Sequence, residues 1–230
     1  MKYSVVIPAA GQGKRMNAGK NKQFIMLEGK PIIVHTMSVF QSDPQCEEIV
    51  LAINEREHDD FRSLIEEYGL TKVSHVVTGG RERQQSVYEG LKALQGEKIV
   101  LIHDGARPFF SHEVANKVAL AAVNYDGAIV AVPVKDTVKQ VDQLQVKRTI
   151  DRSSLWAVQT PQAFRLSVIK DVHQWAEEND VIGTDDASLV EMNGQAVHVI
   201  EGDYWNVKLT TPEDLIFARA ILREKKESGI

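Results

Sequence analysis

Along the chain, short runs of β-branched and apolar residues alternate with stretches whose apolar positions recur at helical spacing. Residues 4–7, 48–53, 73–77, 99–103, 128–132 and 197–200 read as strands. Each is close to continuously apolar, which predicts a sheet covered on both faces. The stretches between them are amphipathic. Phe61, Leu64, Ile65 and Tyr68 fall at i, i+3, i+4 and i+7, and Val87, Leu91 and Leu94 mark a second helical stripe. Such alternation predicts βαβ units and an α/β fold: a Rossmann-like, doubly wound, mostly parallel sheet. The last helix has a legible start, with Thr211 as cap, Pro212 in the first helical position, and Glu213 and Asp214 at the positive end of the dipole. No repeat, low-complexity segment or linker interrupts the pattern, so one domain over residues 1–230 is expected.

Residues 134–152 do not fit the alternation. VKDTVKQV and LQVKRTI read as two strands joined around Asp142 and Gln143. A lone hairpin is marginally stable in water. This protruding β-hairpin arm must therefore pack on its own domain, as a flap, or on a second subunit across a two-fold axis.

Composition narrows the picture. A chain of 230 residues, 43% hydrophobic and 26% charged, has material for a substantial core and is unlike a disordered chain. The 27 basic and 32 acidic residues leave a net charge of −5, which argues against a binder of nucleic acid or anionic membranes. Any handling of phosphates must then rest on positive charge gathered locally. Cys46 is the single cysteine, which rules out an intrachain disulfide and fits a reducing compartment. No apolar run approaches the ~20 residues of a membrane span, and Met1 leads straight into a strand, so a cytoplasmic protein is expected.

Ligands of open α/β sheets sit beyond the carboxyl ends of the strands. Three loops at such ends carry candidate chemistry. The first, PAAGQGKRM, runs from Pro8 through Ala9, Ala10, Gly11 and Gly13 to Lys14, Arg15 and Met16. Small residues let backbone N–H groups approach phosphate oxygens, and the basic side chains continue through Lys20 and Lys22. It is not a dinucleotide fingerprint, because Met16 stands at the third glycine position, nor a Walker A loop, since no G-K-[ST] follows. Triphosphate binding is the better reading. The second loop, from Thr78 to Ser86, offers Gly79 and Gly80 before a helix start, with Arg83 for the loop or a phosphate and Ser86 for a base or ribose. Taken alone, that loop is better read as a capped helix with solvated arginines. In the third, Asp104 stands where one carboxylate can hold a Mg²⁺ ion that triphosphate oxygens and water complete, and Arg107 could fork onto a second phosphate. His103 beside it reads as a packed strand-end histidine, and Asp185 and Asp186 as a helix cap and its acidic first turn rather than a paired-carboxylate site.

Taken together, PAAGQGKRM, KQF, GGRERQQSV, HDGARPF, DRSSLW, QTPQAF and TDDASLVE resemble, in order and from the first strand to the last helix, the 2-C-methyl-D-erythritol 4-phosphate cytidylyltransferases. The ribitol-5-phosphate cytidylyltransferases are the alternative, but tend to open on Leu-Ala-Gly-Gly where this chain has Pro8-Ala9-Ala10-Gly11. The resemblance implies transfer from CTP to a polyol phosphate with Mg²⁺ as cofactor. It implies that Arg15 and Lys22 stabilise charge on the triphosphate, and that Pro8, Ala9, Ala10, Gly11 and Gly13 wrap the nucleotide. Gly80 and Ser86 would meet cytosine and ribose, and Asp104 would ligate the metal. Arg152 and Lys208 would position the polyol phosphate, with Arg107 and Thr137 nearby. It also implies a homodimer in which the 134–152 arm carries Thr137 and Arg152 into the neighbouring site.

Overall fold

The computed structural model describes residues 1–11 and 21–228. The chain opens with β1 (Tyr3–Pro8) and a minimal hairpin of β2 (Met26–Leu27) and β3 (Lys30–Pro31). It continues through α1 (Ile32–Ser42), β4 (Cys46–Ile53), α2 (His58–Glu67), β5 (Val73–Thr78) and α3 (Arg83–Ala93). Then come β6 (Ile99–Ile102), α4 (His112–Asn124), β7 (Gly127–Pro133), and the arm strands β8 (Val138–Asp142) and β9 (Gln145–Ile150). The last part holds β10 (Trp156–Arg165), α5 (Leu166–Glu178), α6 (Asp186–Met192), β11 (Val197–Glu201) and α7 (Pro212–Ser228).

Seven strands form one sheet in the order β11-β7-β10-β6-β1-β4-β5. Every neighbouring pair is parallel except those of β10, which runs antiparallel to both β6 and β7. The expected α/β class is what the chain adopts. The near-continuous apolar runs are accounted for by two cores, one on each face. Tyr3, Val5 and Ile7 of β1 pack with Phe40 of α1, Phe61 of α2 and Val118 of α4. Val6, one residue out of step, packs on the other face with Val87 and Leu91 of α3 and Ile169 of α5. The side-chain period of two sends successive apolar residues to opposite faces, and both faces are covered. Close seating of α3 on β1 depends on Gly90, because a Cβ there would lie 2.5 Å from Val6 Cγ1.

β10 is the element that the apolar pattern does not disclose. Its middle is Gln159-Thr160-Pro161-Gln162, and a proline in a central strand removes a ladder donor. The structure accommodates it with a break in the β7 pairing between Val158 and Gln162. Gln159, Thr160 and Gln162 are buried there and bond to loops instead.

The arm forms as expected, with its turn one residue later, at Gln143 and Leu144. Both turn residues have positive φ, 46° and 63°, as a two-residue hairpin turn requires, although neither is the usual glycine or asparagine. The arm strands form a two-stranded sheet separate from the main one, and Leu144 at the tip is 98% exposed. Cys46 is buried in the core, and no helix among the described residues is long and apolar enough to cross a membrane.

Candidate active site

The strand order places a switch point between β1 and β6, whose following segments lead to opposite ends of the sheet. A crevice opens there, as the rule for open sheets requires. Pro8, Ala10 and Gly11 line it from the β1 end, Gly80, Arg83 and Ser86 from the α3 start, and Asp104 and Gly105 from the β6 end. Lys22 and Lys208 complete the wall. Two of the expected residues, Gly13 and Arg15, lie outside the described residues. Ala9 is 1% exposed and sits beneath the loop, its N–H donating to the Ala52 carbonyl at 2.7 Å, so it supports the cleft without lining it.

Lys22 belongs to a short 3-10 turn over Lys22–Phe24 that its neighbours hold in place. Asn21 accepts from the Gln23 N–H, donates to the Ala9 carbonyl at 3.1 Å, and donates to Glu57 at 2.8 Å. The lysine is thereby tied to the end of β1. At the second loop the helix start is capped, as the sequence suggested. A capping box between Glu82 and Gln85 starts α3, and Ser86 Oγ accepts from the Gly80 N–H at 3.1 Å while donating to the Glu82 carbonyl at 3.0 Å. Gly79 brings this loop against the first one. A Cβ on it would lie 2.7 Å from Ser86 Oγ and 2.8 Å from Ala10 Cβ, and Ala10 Cβ cannot move without its backbone. Gly79→Ala is therefore expected to raise the KM for whatever substrate the two loops hold roughly tenfold or more, through misplacement of both loops, with little change in melting temperature. Unchanged steady-state KM values would dismiss this contact.

Arg83 is where the sequence misleads. It is no solvated helix-start arginine. Its Nε donates to Asp104 Oδ1 at 3.1 Å and its Nη1 to Asp186 Oδ2 at 2.7 Å. Asp185 does cap α6, as expected, but Asp186 is 1% exposed and also accepts from His173 Nε2 at 3.2 Å. Arg83 is thus a strut between the cleft carboxylate and a buried anchor. Burial raises the Asp186 carboxyl, but Arg83 and then His173 reverse this and hold it below the usual carboxylate range. Asp104 follows the same balance: burial pushes it up, while Arg83, Lys208 and Arg107 more than offset that and keep it ionised. Lys208 Nζ stands 2.8 Å from Asp104 Oδ2. Arg107 Nε lies 3.7 Å from the same oxygen, but its Nη1 donates to the Asn206 carbonyl at 2.6 Å, behind the cleft wall.

The polar middle of β10 organises these parts. Thr160 Oγ1 accepts from the Asp104 N–H at 3.0 Å, and Asn206 Nδ2 donates to Gln159 Oε1 and to the Thr160 carbonyl. Gln162 donates to Asp185 and accepts from the Ala187 N–H at the start of α6. His103 is a packed histidine, as the sequence suggested. It is fully buried against Phe40 and Phe110, and burial pushes its pKa down to about 3, which keeps it neutral.

Arg152 and Thr137 are not brought to this cleft. Both are exposed on the arm, where Arg152 donates to the Lys135 carbonyl. As for a metal, no group of three His, Cys, Asp or Glu side chains suited to one exists among the described residues. Asp104 alone fits an ion that keeps its waters and takes substrate phosphates as its other ligands, since a carboxylate offers about four acceptor directions and two are engaged at hydrogen-bond distance.

A glycine-built, lysine-walled crevice at the switch point of a mixed α/β sheet, with one ionised carboxylate at its floor, has the makings of a nucleotidyltransferase. Comparison with known proteins carries this further. The family model for 2-C-methyl-D-erythritol 4-phosphate cytidylyltransferase matches residues 3–224. An enzyme of that description from Bacillus velezensis is 57% identical over 230 residues, covering 100% of this chain and 98% of its own length. One from Geobacillus thermodenitrificans is 58% identical over 225 residues, 98% of this chain and 99% of its own. Among solved structures, the 4-diphosphocytidyl-2C-methyl-D-erythritol synthase of Anaerococcus prevotii superposes with a TM-score of 0.84 at 33% identity, covering 96% of each chain. The cytidylyltransferase of Thermus thermophilus gives a TM-score of 0.82 at 31% identity, over 97% of this chain and all of its own. The chain belongs to the 2-C-methyl-D-erythritol 4-phosphate cytidylyltransferase family and is a nucleotidyltransferase. The ribitol-phosphate alternative is not favoured.

Proposed function

We propose that this chain transfers the cytidylyl group of CTP to 2-C-methyl-D-erythritol 4-phosphate, releasing pyrophosphate, in the non-mevalonate route to isoprenoids. The observation that carries this reading is the convergence of Lys22, Lys208 and Asp104 on one crevice floored by the glycine loops. A phosphate monoester has a second pKa of about 6, so the attacking oxygen is already largely ionised at neutral pH and needs no general base. The buried, neutral His103 is not called on for one. The barrier is repulsion between a dianion and a triphosphate, and fixed positive groups with in-line positioning lower it. Lys22 faces the triphosphate, a role that the family resemblance also gives Arg15; Pro8, Ala10 and Gly11 wrap it over the supporting Ala9, as the resemblance implies for Gly13, and Gly80 and Ser86 meet base and ribose. Lys208 attends the polyol phosphate, while Arg107, tied to the Asn206 carbonyl, backs Asp104 from behind the cleft wall. Mg²⁺, held by Asp104, would supply charge neutralisation across the phosphates.

We further propose a homodimer in which the 134–152 arm delivers Thr137 and Arg152 to the partner's cleft. The arm's exposed apolar side chains support it: Val141, Leu144 and Val146 are 52%, 98% and 59% exposed. Lys22→Ala and Arg152→Ala chains, each nearly inactive alone, are expected to regain part of the activity when mixed into heterodimers, because one of the two clefts then holds both residues. Verified heterodimers without recovery would refute sharing. The reaction itself is tested by pyrophosphate release with Mg²⁺, comparing CTP, UTP and ATP against methylerythritol 4-phosphate and ribitol 5-phosphate. CTP with the methylerythritol phosphate should be the productive pair, and release with another pair alone would overturn the assignment.

A further inference from the structure

Asp104 faces more positive charge than a single carboxylate balances. Lys208 Nζ is 2.8 Å and Arg107 Nε 3.7 Å from its Oδ2, while Arg83 Nε is 3.1 Å from its Oδ1. Counting Asp186, the second partner of Arg83, three cations stand against two carboxylates, which leaves one net positive charge. A bare divalent ion approaching such a floor is repelled. Two changes relieve that: triphosphate oxygens arriving with the ion, or departure of one of the cations.

Only one of the three is free to depart. Arg83 is tied to the 1% exposed Asp186, and Arg107 to the Asn206 carbonyl. Lys208 carries a 37% exposed side chain paired with Asp104, on a flexible four-carbon stem. The backbone beside it is anchored, since the Leu209 N–H donates to the Ala106 carbonyl at 2.8 Å, so the ammonium can swing while its root stays in place.

We propose that Lys208 is a resident counter-ion, occupying on Asp104 the place that the divalent ion takes in the loaded enzyme. Arrival of the metal–nucleotide complex displaces the ammonium and frees it for the phosphate of the second substrate. This rests on the reading of the cleft as a metal-assisted nucleotidyltransferase site. Two properties follow. The free enzyme holds divalent ions poorly, so the ion enters with its triphosphate. The cation that captures the second substrate is released by binding of the first.

The test titrates Mn²⁺ alone into the free enzyme, without nucleotide or polyol, following the electron paramagnetic resonance signal of the unbound ion. Wild type is expected to bind weakly, Lys208→Met at least roughly tenfold more tightly, and Lys208→Met/Asp104→Asn as weakly as wild type. Thermal melts establish that the variants are folded, and Lys208→Gln carries the test should the methionine variant melt early. Equal Mn²⁺ affinity in wild type and a folded Lys208 variant overturns the proposal, and so does a gain that survives the loss of Asp104. Failure of pyrophosphate release from CTP in the separate assay would instead strike the functional reading and leave the Mn²⁺ result standing.

Discussion

Lys22→Ala is expected to lower turnover by roughly 100-fold or more, about 3 kcal/mol of barrier, with the fold intact. The separation of the two effects comes from how its turn is built. Asn21 and Gln23 hold the Lys22–Phe24 turn to β1 through their own hydrogen bonds, so truncating the lysine removes charge at the cleft while the scaffold stays. Single-turnover kinetics at saturating CTP isolate the step at which that charge acts. Turnover near that of wild type would take Lys22 out of the catalytic role.

The second large effect falls on stability. Arg83→Met leaves Asp186, 1% exposed, and Asp104, 10% exposed, without their shared guanidinium. Breaking a buried pair by removing one partner costs about 3–5 kcal/mol. The sign of the pH dependence distinguishes this from simple loss of packing. In the wild type both carboxyls are held below their usual range, so the stability they confer is complete above an unfolded pKa of about 3.9 and is lost as pH falls through the folded values. In the variant Asp186 keeps His173 but loses Arg83, the first of the two groups that hold its carboxyl down, so its folded value moves up from that of the wild type. The stability gap between wild type and variant should therefore narrow as pH falls, because the folded variant takes up a proton at a higher pH than the folded wild type does. Urea unfolding at three pH values reads both slopes, and parallel curves would rule out the strut.

The parallel strands were legible because each apolar run fills two cores at once, and the arm because its polar alternation stood out against them. β10 was not, because Gln159, Thr160 and Gln162 spend their polarity on loops far along the chain rather than on water. The same distance hid Arg83. Its neighbours GGRER show a helix start, but its partner Asp186 is 103 residues away, and no local spacing announces such a pair. The glycine loops and Asp104 could be read since their chemistry is local. Arg107 shows the limit of that method: it stands where a phosphate fork was expected, yet much of its guanidinium serves the Asn206 carbonyl.

The place of β10 also sets when the enzyme can become an enzyme during synthesis. β6 and β7 have no ladder between them until the strand from Trp156 to Arg165 leaves the ribosome and pairs with both. Until then β6, whose four residues are all buried in the finished fold, shows an open apolar edge that invites nascent-chain clumping. The Asp104 amide also waits for Thr160. A prematurely terminated chain would thus be sticky as well as inert, which makes the middle of this gene a poor place for a ribosome to stall.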